Sequence, residues 1–162
     1  MEALQRVRQF VRAVSGPRVV PDLGEMGALL TDEQKRLFIS LAAVDQRHSL
    51  AVARALATQG ETDPELLQAA LMHDVGKSLG RIAVWERVAY VLLLRYAPLL
   101  VGRIGSAQSG ALGHGLFLLA HHAELGAQLA AQAGFSAQVV ALVRGTGDPR
   151  RQTALRDADD MH

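Results

Sequence analysis

The sequence predicts an all-α fold, and three observations carry the prediction. Hydrophobic residues make up 49% of the chain but aromatic residues only 4%. Ala, Leu and Val must then fill the interior, which favours closely packed helices. Apolar residues recur at helical spacing along most of the chain. Capping residues, prolines and glycines stand where those apolar patterns start and stop. At 162 residues the chain fits one domain and can bury a sizeable core.

The elements follow in order. Leu4, Val7, Val11 and Val14 mark a short amphipathic helix over 3–14, ended by Gly16-Pro17. Arg18 to Leu30 reads as an irregular connection that either covers an active site or, the favoured reading, wraps the surface. Thr31 and Gln34 form a capping-box pattern, so a helix starts near Asp32 and is expected to run through Leu37, Phe38, Leu41 and Ala42. A second helical pattern passes through Arg47-His48-Ser49-Leu50 and stops at Gly60. Asp63-Pro64 pairs a capping aspartate with a proline at the first helical position. That helix carries Leu66, Leu67, Ala70 and Leu71 and delivers His73 and Asp74 at its end. The connection is short enough for the two helices to lie antiparallel, so one imidazole from each can meet.

Arg81 to Gly102 is strongly apolar, but Glu86, Arg87, Arg95 and Pro98 interrupt it well short of the ~20 clean apolar residues of a membrane span. Three readings compete: a core helix, a homodimer interface through 82–101, and a membrane-surface helix. Glycines from Gly102 to Gly115 make a connection or lid. Leu116 to Ala133 is the next helix, ending at Gly134 and carrying His121-His122-Ala123-Glu124-Leu125-Gly126. Ser136 caps a helix with Val139, Val140, Leu142 and Val143. Asp148-Pro149 opens the last turn or helix, which ends in Asp157, Asp159 and Asp160. The expected organisation is a helix and connecting segment over 1–30, then a helical domain over 31–162.

Composition excludes several function classes. The 17 basic and 16 acidic residues nearly cancel, so nothing electrostatic argues for nucleic acid as a main partner. With no cysteine, disulfides, thiolate nucleophiles and Cys-based zinc sites are ruled out. The N-terminus lacks the apolar core and cleavage site of a signal peptide, so a cytoplasmic location is expected.

The chemistry concentrates in Leu71-Met72-His73-Asp74-Val75-Gly76-Lys77. Adjacent His and Asp offer a neutral nitrogen and a charged oxygen from one short piece of backbone, which suits a divalent metal. Gly76 allows a sharp turn or a close approach to a ligand. Lys77 places a cation where a phosphate oxygen could sit; the chain has only one other lysine, Lys35. The bland alternatives are a solvated lysine near a helix end and, for His48, a core histidine satisfied by one hydrogen bond.

Arg47-His48-Ser49-Leu50 followed by the His-Asp-Val-Gly-Lys element resembles the HD-domain superfamily of metal-dependent phosphohydrolases. The resemblance runs from His48 to Asp160 and implies an HD-type helical bundle. It implies that His48, His73, Asp74 and a distant aspartate hold a divalent metal. Leu155, Ala158 and Asp159 match the family's last ligand pattern, which favours Asp159 over Asp157 or Asp160. His122 matches the histidine of a further element found in the two-metal branches, whereas His121 and His114 match nothing and read as solvated. Thr146 and Gly147 stand where those branches have two histidines, and the signature of the cyclic-dinucleotide phosphodiesterases is absent. That departure argues against cyclic-dinucleotide cleavage and against a complete second metal site.

Two imidazoles and two carboxylates leave coordination positions open on a six-coordinate ion. Manganese, iron, nickel or magnesium are admissible, with the histidines counting against a purely magnesium site. The expected activity is hydrolysis of a phosphoester in a nucleotide or other small phosphorylated metabolite. Asp74 is the expected metal ligand and orienter of the attacking water, and Lys77 the expected partner of a phosphoryl oxygen. Arg47 and Arg81 are candidate phosphate contacts. A degenerate signalling or ligand-binding module is the alternative, and a helical interaction protein organised by 82–101 a third reading.

Overall fold

The computed structural model describes residues 22–97, 100–101 and 114–162. The helix expected over 3–14 and most of the glycine-rich connection after Val101 lie outside the described residues. Among the described residues the fold is all-α, with no strand. The α-helices are α1 (Asp32–Ile39), α2 (Ala43–Thr58), α3 (Pro64–Met72), α4 (Val84–Tyr96), α5 (His114–Gln132), α6 (Ala137–Arg144) and α7 (Pro149–Asp160). Two 3-10 turns, Gly24–Leu29 and Val75–Leu79, precede α1 and follow α3.

The helix boundaries follow the capping chemistry. Thr31 accepts from the Gln34 backbone N–H while the Gln34 side chain accepts from the Thr31 N–H, closing a full capping box at α1. Asp63 accepts from Glu65 N at 3.0 Å with Pro64 behind it, and Asp148 accepts from Arg150 N and Arg151 N. Ser136 caps α6 through Val139 N. The helix expected to run from Asp32 through Ala42 instead stops at Ile39, and α2 starts afresh at Ala43. The buried Gln46 amide donates to Ile39 O at 3.1 Å and to Leu41 O at 2.8 Å. It satisfies carbonyls that a continuing helix would have used itself.

The bundle packs around α3, which is buried along most of its length, with Ala69, Ala70, Leu71 and Met72 fully so. α2, α6 and α7 pack on it, and the first 3-10 turn is tied to it where Gln68 Nε2 donates to Leu29 O at 2.6 Å. Phe38, Val52, Leu56, Leu142 and Leu155 complete one continuous core. α5 lies across the second 3-10 turn and against α6.

α4 departs from the core-helix reading. Its buried residues are Glu86 and Arg87, and none of its side chains joins the core. Trp85, Val91, Leu92, Leu94 and Tyr96 are exposed. α4 has one substantial neighbour, α5, where Gly115 lies so close to Glu86 that a Cβ there would meet the carboxylate. The face it turns inward is mixed: Tyr90 and Leu93 meet Leu116 and Ala120 of α5, and Arg87 makes a bidentate pair with Asp45 of α2, both contacts at 2.6 Å.

Candidate metal centre

α2, α3, α5 and α7 each deliver one part of the site. α3 ends at Met72, so His73 and Asp74 fall at the junction with the 3-10 turn, where the backbone no longer follows the helix. The turn is pressed onto α5. A Cβ at Gly76 would collide with the backbone carbonyl of His122, and one at Gly126 would lie 3.1 Å from Gly76 N. Gly76 therefore serves a close approach of backbone to backbone, rather than of backbone to a ligand. That approach holds His122 beside Asp74.

The imidazole of His73 is fixed from behind. Its Nδ1 lies 2.8 Å from Ala70 O. A carbonyl only accepts, so Nδ1 carries the proton and Nε2 of the neutral ring presents a lone pair. That Nε2 is buried and has no hydrogen-bond partner. Asp159 Oδ1 lies 3.4 Å from it and Asp74 Oδ2 3.7 Å. His122 is held the same way, with Nδ1 2.7 Å from Leu119 O and Nε2 3.7 Å from Asp74 Oδ1. His48 Nε2 is 2.7 Å from Asp159 Oδ1, and the His48 and His73 rings meet edge to face with centroids 5.3 Å apart.

The five residues named for the metal thus come together. Ligand atoms of His48, His73 and Asp74 lie within 4.8 Å of one another. Asp159 faces the two imidazoles from α7, and it is the aspartate of the C-terminal trio that does so. His122 reaches the opposite oxygen of Asp74.

Electrostatics tie these groups tightly. Burial by itself would raise the pKa of Asp74, but Lys77, His73 and His122 outweigh it and hold the carboxyl well below the usual carboxylate range. Asp159 is depressed in the same way, against its burial, by the hydrogen bond to His48 and the nearby imidazole of His73. Burial works against a charge on His73, yet Asp74 and Asp159 together raise its pKa. His122 moves the other way: burial, with Lys77 adding to it, lowers its pKa.

The donor set fits a divalent cation. Two imidazoles anchored on Ala70 O and Leu119 O aim Nε2 lone pairs at ionised carboxylates, and a carbonyl accepting from the far nitrogen of each ring is the usual support for a metal-binding histidine. The unpartnered Nε2 of His73 is a buried polar atom whose desolvation a cation would offset.

Lys77 lies beside Asp74. Its ammonium is mostly buried and donates to Asp74 Oδ2 at 2.6 Å. It is a fixed member of the cluster, with donors beyond that one bond. Arg81 is exposed on the loop after the 3-10 turn. Arg47 lines a groove with Leu50, Arg54 and Met161 that contains none of the metal-site residues. His121 lies against Phe117, ring centroids 4.5 Å apart, rather than being simply solvated. Glu124 pairs with Arg144 at 2.9 Å on the surface, and Gly145, at a left-handed φ of 86°, closes α6 just before Thr146 and Gly147.

Sequence reasoning missed Asp45 and Arg87. Arg87 bonds Asp45, and its charge also interacts with Asp74, so a buried cation stands behind the site. The available signal was Glu86-Arg87 inside an apolar segment, since buried charges need partners; the partner's identity depends on the packing of α2 against α4. No protein-family model, curated protein or solved structure matches this chain.

Proposed function

We propose that this chain is a metal-dependent phosphohydrolase acting on a phosphoester of a nucleotide or another small phosphorylated metabolite. The observation that carries the reading is the buried, unpartnered Nε2 of His73, set between two ionised carboxylates with its Nδ1 proton occupied elsewhere. His48, His73, Asp74 and Asp159 would hold the ion, and His122 would reach the other oxygen of Asp74. A divalent ion in such a site supplies Lewis-acid polarisation of a phosphoryl oxygen and a more acidic water. Manganese, iron or nickel suits the two imidazoles better than magnesium does.

The chain's own groups supply the rest. Asp74 offers both oxygens, one beside His73 and Lys77 and the other beside His122, so it can accept a proton-bearing contact from a water while staying ionised. Lys77 keeps donors for a phosphoryl oxygen and would neutralise charge that builds there. Its bond to Asp74 fixes the ammonium in place before substrate arrives.

The test is elemental analysis of the purified protein, together with turnover of a phosphoester panel in added manganese. About one ion per chain with hydrolysis of at least one phosphoester supports the proposal. Stoichiometric metal without turnover favours a ligand-binding module, the reading that Thr146 and Gly147 motivate by standing where the two-metal branches have histidines. Absence of bound metal under all loading conditions overturns both.

A further inference from the structure

We infer that α4 is a membrane-docking element that seats the protein on an anionic phospholipid surface. The inference is independent of the phosphohydrolase reading. α4 carries a wide apolar exposure on a helix that contributes nothing to the core: Trp85 is 52% exposed, Val91 48%, Leu94 49% and Tyr96 73%. Contiguous apolar surface of this kind marks an interaction site.

Charge decides the occupant. Glu86 is the sole acid between Val75 and Val101, and it is buried, its carboxylate accepting from Ala83 N at 2.7 Å. Arg87 is buried against Asp45. The exposed charges on and beside α4 are Arg81 and Arg95, both cationic, and no ion pair engages either among the described residues. A second copy laid antiparallel on this face would bring Arg81 of one chain towards Arg95 of the other, and like charges would meet. An anionic lipid surface instead attracts both. Trp85 near one end of α4 and Tyr96 at the other are the residue types that settle at the headgroup level. α4 is too short and too interrupted to cross a bilayer, and no helix among the described residues is long and apolar enough to do so. The fit is to a helix lying in the interface plane, with arginines reaching the headgroups.

Trp85 is the only tryptophan of the chain, so its emission reports on this face directly. Full-length protein is titrated with phosphatidylglycerol vesicles and, separately, with phosphatidylcholine vesicles, and binding is read by co-sedimentation and by Trp85 fluorescence. Phosphatidylglycerol vesicles should sediment the protein and shift Trp85 to shorter wavelength. Phosphatidylcholine should bind at least about tenfold more weakly, given two cations near the surface. Arg81→Glu with Arg95→Glu should lose about tenfold or more of the phosphatidylglycerol binding, and Leu92→Glu should lose the blue shift. Circular dichroism establishes that each variant is folded. Equal binding to both vesicle types, or binding to neither, overturns the inference. A blue-shifted Trp85 that depends on protein concentration without vesicles, with a dimer by light scattering, overturns it in favour of a second copy.

Discussion

Two histidines within one cluster are displaced in opposite directions. His73 faces two carboxylates and is raised; His122 is buried with Lys77 nearby and is lowered. In metal-free protein, histidine NMR titration should place His73 above the usual ~6.5 and His122 below it. Asp159→Asn should bring His73 down, because one of the two charges holding its proton is gone. A metal must displace that proton, so affinity should rise with pH through the titration of His73. Calorimetry of manganese binding across the neutral range checks the sign. Asp74 carries a second dependence. Its folded pKa is depressed, so its contribution to stability is complete above the unfolded value of ~3.9 and is lost as pH falls towards the folded one. Acid unfolding of metal-free protein should therefore be steeper for the wild type than for Asp74→Asn. Asp74→Ala should abolish metal binding and hydrolysis together; full activity in that variant would end the proposed mechanism. At this scale the sequence was informative wherever a motif names residue types, as for His73, Asp74 and Lys77. It was silent on which way Lys77 points, because that depends on how deeply Asp74 is buried.

Elements are placed by their ends and by where backbones meet. Asp63-Pro64, Asp148-Pro149, Ser136 and Thr31 were all legible as helix starts, because a cap satisfies orphan N–H groups through neighbours three residues away or fewer. The end of α1 was not legible, since Gln46 terminates it from the next helix. Gly76 was legible as a special position but not for its reason. The 3-10 turn and α5 touch there through backbone atoms, which do not yield. Gly76→Ala should therefore cost on the order of 2–4 kcal/mol, read as a fall in the denaturant midpoint. It should also weaken metal binding by moving His122 away from Asp74. Gly134→Ala, at a φ of 75° with open space around it, should cost only about 1 kcal/mol and leave metal binding unchanged.

Across the whole molecule, the Asp45–Arg87 pair joins a helix of the core to the helix that lies outside it. Removing one partner strands the other charge. Arg87→Met should destabilise by about 3–5 kcal/mol, and Asp45→Leu with Arg87→Met by clearly less than the sum of the single changes. Thermal or urea unfolding of the four proteins closes the cycle. The all-α architecture was readable because helical period and caps repeat along the chain. The arrangement of α4 was not, because its apolar composition suits a core, an interface and a lipid surface alike. What separates them is three-dimensional: the inward face proves to be the one bearing Glu86 and Arg87.

The bond between His48 and Asp159 closes across 111 positions of sequence. A nascent chain emerging from the ribosome therefore presents His48, His73 and Asp74 long before their last companion has been synthesised. Under the metal-dependent reading proposed above, ion capture with the full ligand set would wait until α7 has folded back onto α2 and α3, and a chain broken off before Asp159 would be left with a weaker grip. Tight loading with metal would then distinguish molecules whose translation reached that helix from those that stalled short of it.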